Sequence, residues 1–157
     1  MEALPFKRNR FQLNKKTKEV IVFIICLACI FLFLSSAYSK LLNHEQFVQG
    51  LKAVSFLRPV ASELSWLVPV IETSIAALLI MPRTTWYGLI GFAVVMVAFT
   101  IYIAGMMIWA DKLPCSCNLF IEKLSWSQHL IFNIGFVFLS IIALWLGRIS
   151  NYKILVK

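Results

Sequence analysis

Residues 20–42 read VIVFIICLACIFLFLSSAYSKLL, and the run from Val20 to Ser39 holds no charged side chain. As a helix rising ~1.5 Å per residue that run is about 30 Å long, the thickness of a bilayer's hydrocarbon core. A helix is also the form in which one such segment satisfies all of its own backbone hydrogen bonds away from water. Three more stretches of the same kind follow: Val60 to Met81, Thr85 to Ala110 and Trp126 to Gly147. The segments outside them carry nearly all the charge and most of the prolines.

The composition points the same way. Of 157 residues, 61% are hydrophobic and 14% charged, a balance far from that of a soluble domain of similar length. The net charge of +8 is not a nucleic-acid signature, because the basic residues gather at the two chain ends without an aromatic-interleaved basic surface or zinc-finger spacing. No internal repeat or low-complexity tract is visible. The first partner is a lipid bilayer, and nucleic acid is not expected.

Charge also sets the expected orientation. Lys7, Arg8, Arg10, Lys15, Lys16 and Lys18 precede the first span, Arg83 separates the second from the third, and Arg148, Lys153 and Lys157 follow the fourth. The other side keeps Lys40, Lys52, Arg58, Lys112 and Lys123. The positive-inside rule therefore places both termini in the cytoplasm. Tyr38, Trp109 and Trp126 suit the outer headgroup zone, and Trp86, Tyr87 and Trp145 the inner one. The basic start, apolar run and Ser35-Ser36-Ala37 also fit a cleavable signal peptide, but the apolar run is longer than most such cores. The expectation is an all-α, integral membrane four-helix bundle, multi-pass in the inner (plasma) membrane. It has a basic cytoplasmic segment at 1–19, a membrane domain at 20–147 with spans near 20–42, 60–81, 85–110 and 126–147, and a basic tail at 148–157.

The outer loop before the fourth span reads Asp111-Lys112-Leu113-Pro114-Cys115-Ser116-Cys117-Asn118. If the chain is bacterial, this loop faces the periplasm, where disulfides persist. A bridge across one intervening residue closes a small ring, and distortion makes such a bond easier to reduce. Pro114 fixes the backbone before the pair, Lys112 favours thiolate and Asp111 opposes it. Redox exchange at Cys115 and Cys117, a static loop bridge and metal binding all fit. Met106, Met107, Cys115, Cys117 and His129 are soft or borderline ligands suited to copper or zinc, but their spacing matches no strong metal motif and no metal is favoured. No cofactor is identified, and a quinone or a soft metal ion stays open. Cys26 and Cys29 form a C-x-x-C inside the first span, where they read as small packing residues.

Glu72 lies near the middle of the second span, three residues after Pro69, whose missing N–H frees a carbonyl one turn earlier. A carboxylate at that depth must face the bundle interior, protonated or paired. Glu63 lies at a depth like that of Lys40, and the two are expected to pair. Gln128, His129 and Asn133 form a polar cluster near the outer end of the fourth helix, either as interhelical glue or in support of the loop. Lys40, Glu63, Glu72, Gln128, His129 and Asn133 thus make up the expected polar interior. Between the first two spans, residues 41–57 place Phe47, Leu51, Val54 and Phe56 against His44, Glu45, Gln49 and Lys52 at helical spacing, an amphipathic helix lying on the membrane or over the bundle.

Four landmarks together resemble the MauE/DoxX-like group of four-helix membrane proteins, from about Val20 to Gly147. They are Ser39-Lys40-Leu41 ending the first helix, Pro69-Val70-Ile71-Glu72 in the second, Pro114-Cys115-Ser116-Cys117 before the fourth, and Leu124-Ser125-Trp126-Ser127-Gln128-His129 opening it. The resemblance implies periplasmic thiol chemistry linked to methylamine utilisation, in maturation of a disulfide-containing periplasmic protein alongside a thioredoxin-like partner. Relatives of this kind often have glycine after the second cysteine, where this chain has Asn118. The function expected is thiol/disulfide exchange through Cys115 and Cys117, which would make the chain a thiol-disulfide oxidoreductase component. The alternatives are a non-catalytic assembly or maturation factor with a structural cysteine pair, and a carrier or quinone-linked subunit centred on Glu72.

The orientation is testable with topology reporters. Fusions after Arg83 and after Lys157 are expected to read cytoplasmic and an insertion at Ser116 external; a cytoplasmic reading at Ser116 would remove the basis for periplasmic thiol chemistry.

Overall fold

Hydrophobic segments of spanning length become four long helices in the computed structural model, which describes residues 14–55, 57–109 and 126–149. The elements are α1 (Lys15–Leu42), α2 (His44–Lys52), a 3-10 turn (Arg58–Val60), α3 (Ala61–Ile80), α4 (Thr85–Trp109) and α5 (Trp126–Ile149). Among the described residues there is no strand. α1, α3, α4 and α5 are long and apolar enough to cross a membrane, so the all-α four-span expectation holds. α1 starts about one turn earlier than the apolar run, drawing Lys15, Lys16 and Lys18 into the helix.

The spanning helices alternate in direction and close a ring: α1 packs on α3 and α5, and α4 packs on the same two. The turn between α3 and α4 is tight. Pro82 cannot continue a helix, and Thr84 and Thr85 donate their hydroxyls back to the carbonyls of Leu78 and Met81, among others, at the end of α3. This end of the bundle also receives the start of α1 and is called the terminal end here; the opposite, loop end carries α2.

Lipid does not drive helices together as water does, so their association depends on close packing of small residues. Cys29, Ala76, Ser140 and Ala143 are fully buried, letting neighbouring backbones approach. The centre is filled by rings: Phe33 of α1 lies 4.4 Å from Phe92 of α4, Phe92 lies 6.2 Å from Phe136 of α5, and Phe136 lies 4.8 Å from Phe132. Tilted pairs of this kind add about 0.5–1.5 kcal/mol each beyond the area they bury. Cys26 and Cys29 sit in this core as free, buried thiols, in keeping with a packing role. The outward faces, including Phe23, Phe31, Val94, Ile131 and Phe138, remain exposed as a lipid-facing surface.

α2 packs over the bundle. Phe47 and Leu51 are buried with Ala61 of α3, against Leu64, Val68 and Tyr102, and the Tyr102 hydroxyl donates to the Gly50 carbonyl at 3.1 Å. The helix stops at Lys52, short of the 57 expected, and Phe56 lies outside the described residues. His44, expected on the polar face, is half-buried and stacks on Trp66 with ring centroids 4.5 Å apart.

Gly88 of α4 packs closely on α3, where an added Cβ would meet the Leu79 backbone nitrogen and side chain at 3.0 Å. Gly135 faces open space. Gly88→Val is expected to lower stability by about 1–3 kcal/mol through overpacking, whereas Gly135→Ala should be neutral or stabilising by up to about 1 kcal/mol through helix propensity. Thermal unfolding in one detergent compares the two, and equal effects would refute close α3–α4 packing at Gly88.

Candidate functional site

α1 ends with Ser36 and Lys40 one turn apart, hence on one helix face. Both are buried, Lys40 at 8% exposure. A lysine two residues from the end of a spanning helix ordinarily snorkels toward the headgroups, yet this one turns inward. The facing stripe of α3 is Ala61, Ser65, Pro69, Glu72, Ile75, Ala76 and Leu79, all buried at helical spacing. Glu72 is wholly inaccessible.

The three side chains meet. Lys40 Nζ lies 2.5 Å from Glu72 Oε1 and donates as well to Ser36 Oγ at 2.5 Å. Ser36 Oγ in turn donates to the same Glu72 oxygen at 2.9 Å. The ammonium also lies 4.7 Å from the centroid of Phe99 on α4 and 5.6 Å from that of Phe47 on α2. Desolvated cation–π contacts contribute about 2 kcal/mol, so aromatic faces share the work of stabilising the charge. One ammonium group therefore interacts with side chains of α1, α2, α3 and α4.

Glu72 Oε1 accepts two hydrogen bonds, while Oε2 is buried with no partner. One turn beyond Lys40, His44 Nε2 lies 3.4 Å from Ser65 Oγ, and His44 Nδ1 is likewise buried without a partner. A polar seam thus runs from Ser36 through Lys40 to His44 on one side and from Glu72 to Ser65 on the other. Pro69 lies inside it, its missing N–H releasing the Ser65 carbonyl from the helix ladder. Thr73 Oγ1 donates to the Pro69 carbonyl at 2.8 Å.

The expected polar interior is corrected in two places. Lys40 pairs with Glu72 rather than Glu63, which is exposed in the first turn of α3; nine residues of helix, about 13 Å, separate the two carboxylates, and α1 ends below the upper turns of α3, which face α2 instead. Gln128 is exposed, because it lies in the first turn of α5 on a different face from Asn133. His129 is half-buried and Asn133 buried. Ser36, Phe47 and Phe99 were not expected in this site. The spacing of Ser36 from Lys40 was the available signal for the first; nothing in the local sequence marks either phenylalanine as a wall for a cation. Cys115 and Cys117 lie outside the described residues, and among the described residues no three of His, Cys, Asp and Glu group as metal ligands.

Cutting the ion pair leaves Glu72 either charged without its cation or forced to hold a proton, at a cost of up to about 3–5 kcal/mol. Lys40→Met is therefore expected to destabilise the protein strongly, and Lys40→Met with Glu72→Gln to recover much of the loss. Denaturation of the single and double variants in detergent checks this, and additive losses would show that the two side chains are uncoupled.

No curated protein and no solved structure matches the chain. The family model described as methylamine utilisation protein MauE matches residues 18–146, a range that takes in most of every spanning helix, the Lys40–Glu72 pair, and Cys115 and Cys117. With a match over most of its length, this four-span membrane protein belongs to the MauE family.

Proposed function

We propose that the protein takes part in thiol/disulfide exchange at the periplasmic face of the inner membrane, through Cys115 and Cys117. It does so either directly or in maturation of a disulfide-containing periplasmic protein. The observation that carries this reading is the Pro114-Cys115-Ser116-Cys117 sequence on the connection between α4 and α5, in a chain that matches the MauE family. The excess of Lys and Arg at the terminal end supports cytoplasmic termini, which would put this connection outside the membrane.

In the proposed step one thiolate of the reduced pair attacks a disulfide of a thioredoxin-like or client protein. A mixed disulfide forms and a partner thiolate leaves. The second cysteine then attacks the mixed disulfide, forming the Cys115–Cys117 bond and releasing the partner's other thiolate. Two electrons pass from the pair to the partner, and the two thiol protons end on the partner's thiols. Run in reverse, the same sequence gives a client its disulfide. The buried Cys26 and Cys29 take no part.

Trapping tests the proposal. Cys115→Ser or Cys117→Ser, whichever removes the resolving thiol, is expected to accumulate a mixed disulfide with a periplasmic protein, visible as a reductant-sensitive higher-mass band. In the wild-type protein, mild reductant should open the outer pair to thiol labelling while Cys26 and Cys29 stay unlabelled until unfolding. No trapped species in either variant, with an outer pair that resists reduction, would leave a maturation factor whose cysteines only fix the loop.

A further inference from the structure

The buried carboxylate at the centre of the bundle is used unevenly. Oε1 of Glu72 accepts from both Lys40 and Ser36, whereas Oε2 is enclosed without a partner. A permanent ion pair between fully desolvated groups is favoured when the remaining lone pairs of the acid are also satisfied, and here two of them are not. A proton placed on Oε2 would break none of the existing hydrogen bonds. Oε1 would become the carbonyl oxygen of a carboxylic acid and keep both donors. The ammonium left behind would still have the Ser36 hydroxyl and the faces of Phe99 and Phe47. The arrangement therefore accommodates two protonation states with one set of side-chain positions.

We propose that Glu72 is a proton-binding site inside the bundle, taking up and releasing a proton at Oε2 while Ser36 and Lys40 hold Oε1 in place. The inference stands apart from the thiol chemistry of the outer loop. Ionisable groups on the surrounding elements are few. α1 supplies Lys40, α2 supplies half-buried His44, α4 supplies Tyr102, whose hydroxyl is bonded to Gly50, and α5 supplies His129. Glu45, Lys52, Arg58 and Glu63 are exposed. His44 and His129 mark the loop-end side of the pair, the side from which a proton would reach it. On the terminal-end side lie the apolar side chains of Ile75, Ala76, Leu79, Phe33 and Phe92, with the buried free thiols of Cys26 and Cys29 among them.

Infrared difference spectroscopy of the whole protein in lipid nanodiscs, titrated from about pH 9 to about pH 5, reads the proton directly. A band from a protonated carboxyl should grow as the pH falls, at the high-frequency end expected for an acid whose O–H has no strong acceptor. It should be wholly absent from Glu72→Gln, which keeps the size and hydrogen-bonding capacity of the side chain. Lys40→Met should keep the band to higher pH, since the cation that favours the carboxylate is gone. A wild-type spectrum with no component sensitive to Glu72→Gln would show a fixed ion pair, and a component that does not change with pH would show a fixed acid. Either result overturns the proposal. Because the comparison of wild type with Glu72→Gln suffices, misfolding of the lysine variant would not rescue it. Mixed-disulfide trapping in Glu72→Gln reports separately on the outer cysteines.

Discussion

An ammonium and a carboxylate that meet inside a bilayer bind their helices together, because separating them would leave each charge in a medium that cannot solvate it. Lys40 and Glu72 are such a pair. Once Lys40 turns inward, the end of α1 is fixed against the middle of α3. α2 must begin where α1 ends, and Phe47 can then close over the ammonium beside Phe99. The loop end of the molecule is organised around that one contact.

The rest of the bundle follows ordinary membrane packing. Small side chains allow close approach at Gly88, Cys29, Ala76 and Ala143, and a chain of phenylalanine rings fills the space between the four helices. No other acidic side chain is buried among the described residues, so electrostatic specificity is concentrated where packing is supplemented by α2. That division separates two roles. The terminal half of the bundle is an apolar scaffold, and the polar seam of Ser36, Lys40, His44, Ser65 and Glu72 occupies the half next to the connections.

Membership of the MauE family links this scaffold to the Cys115–Cys117 connection between α4 and α5. The C-x-C pair in the sequence of that connection and the carboxylate proposed to bind a proton are chemically independent. Thiol exchange conserves protons between the two partners, whereas a buried acid exchanges them with water. The polar seam lies in the half of the bundle where α4 ends and α5 begins, with α2 lying over it.

The amino-acid sequence by itself determined the number of membrane-crossing helices and their boundaries to within about a turn, because a bilayer imposes a length and a polarity that can be read residue by residue. It also marked Glu72 as interior, since an acid at that depth has nowhere else to go, and it showed α2 as amphipathic. The partner of Lys40 was decided by tertiary structure. Depth along a span suggested Glu63, but the choice depended on how far α1 and α3 are offset and which face each presents, and these are set by packing across the bundle. The same holds for Phe47 and Phe99, apolar residues like their neighbours in sequence, which become walls of a cation site only when α2 and α4 converge on α1. Hydropathy constrains a residue's distance from water, and only the assembled helices fix which side chain stands opposite it.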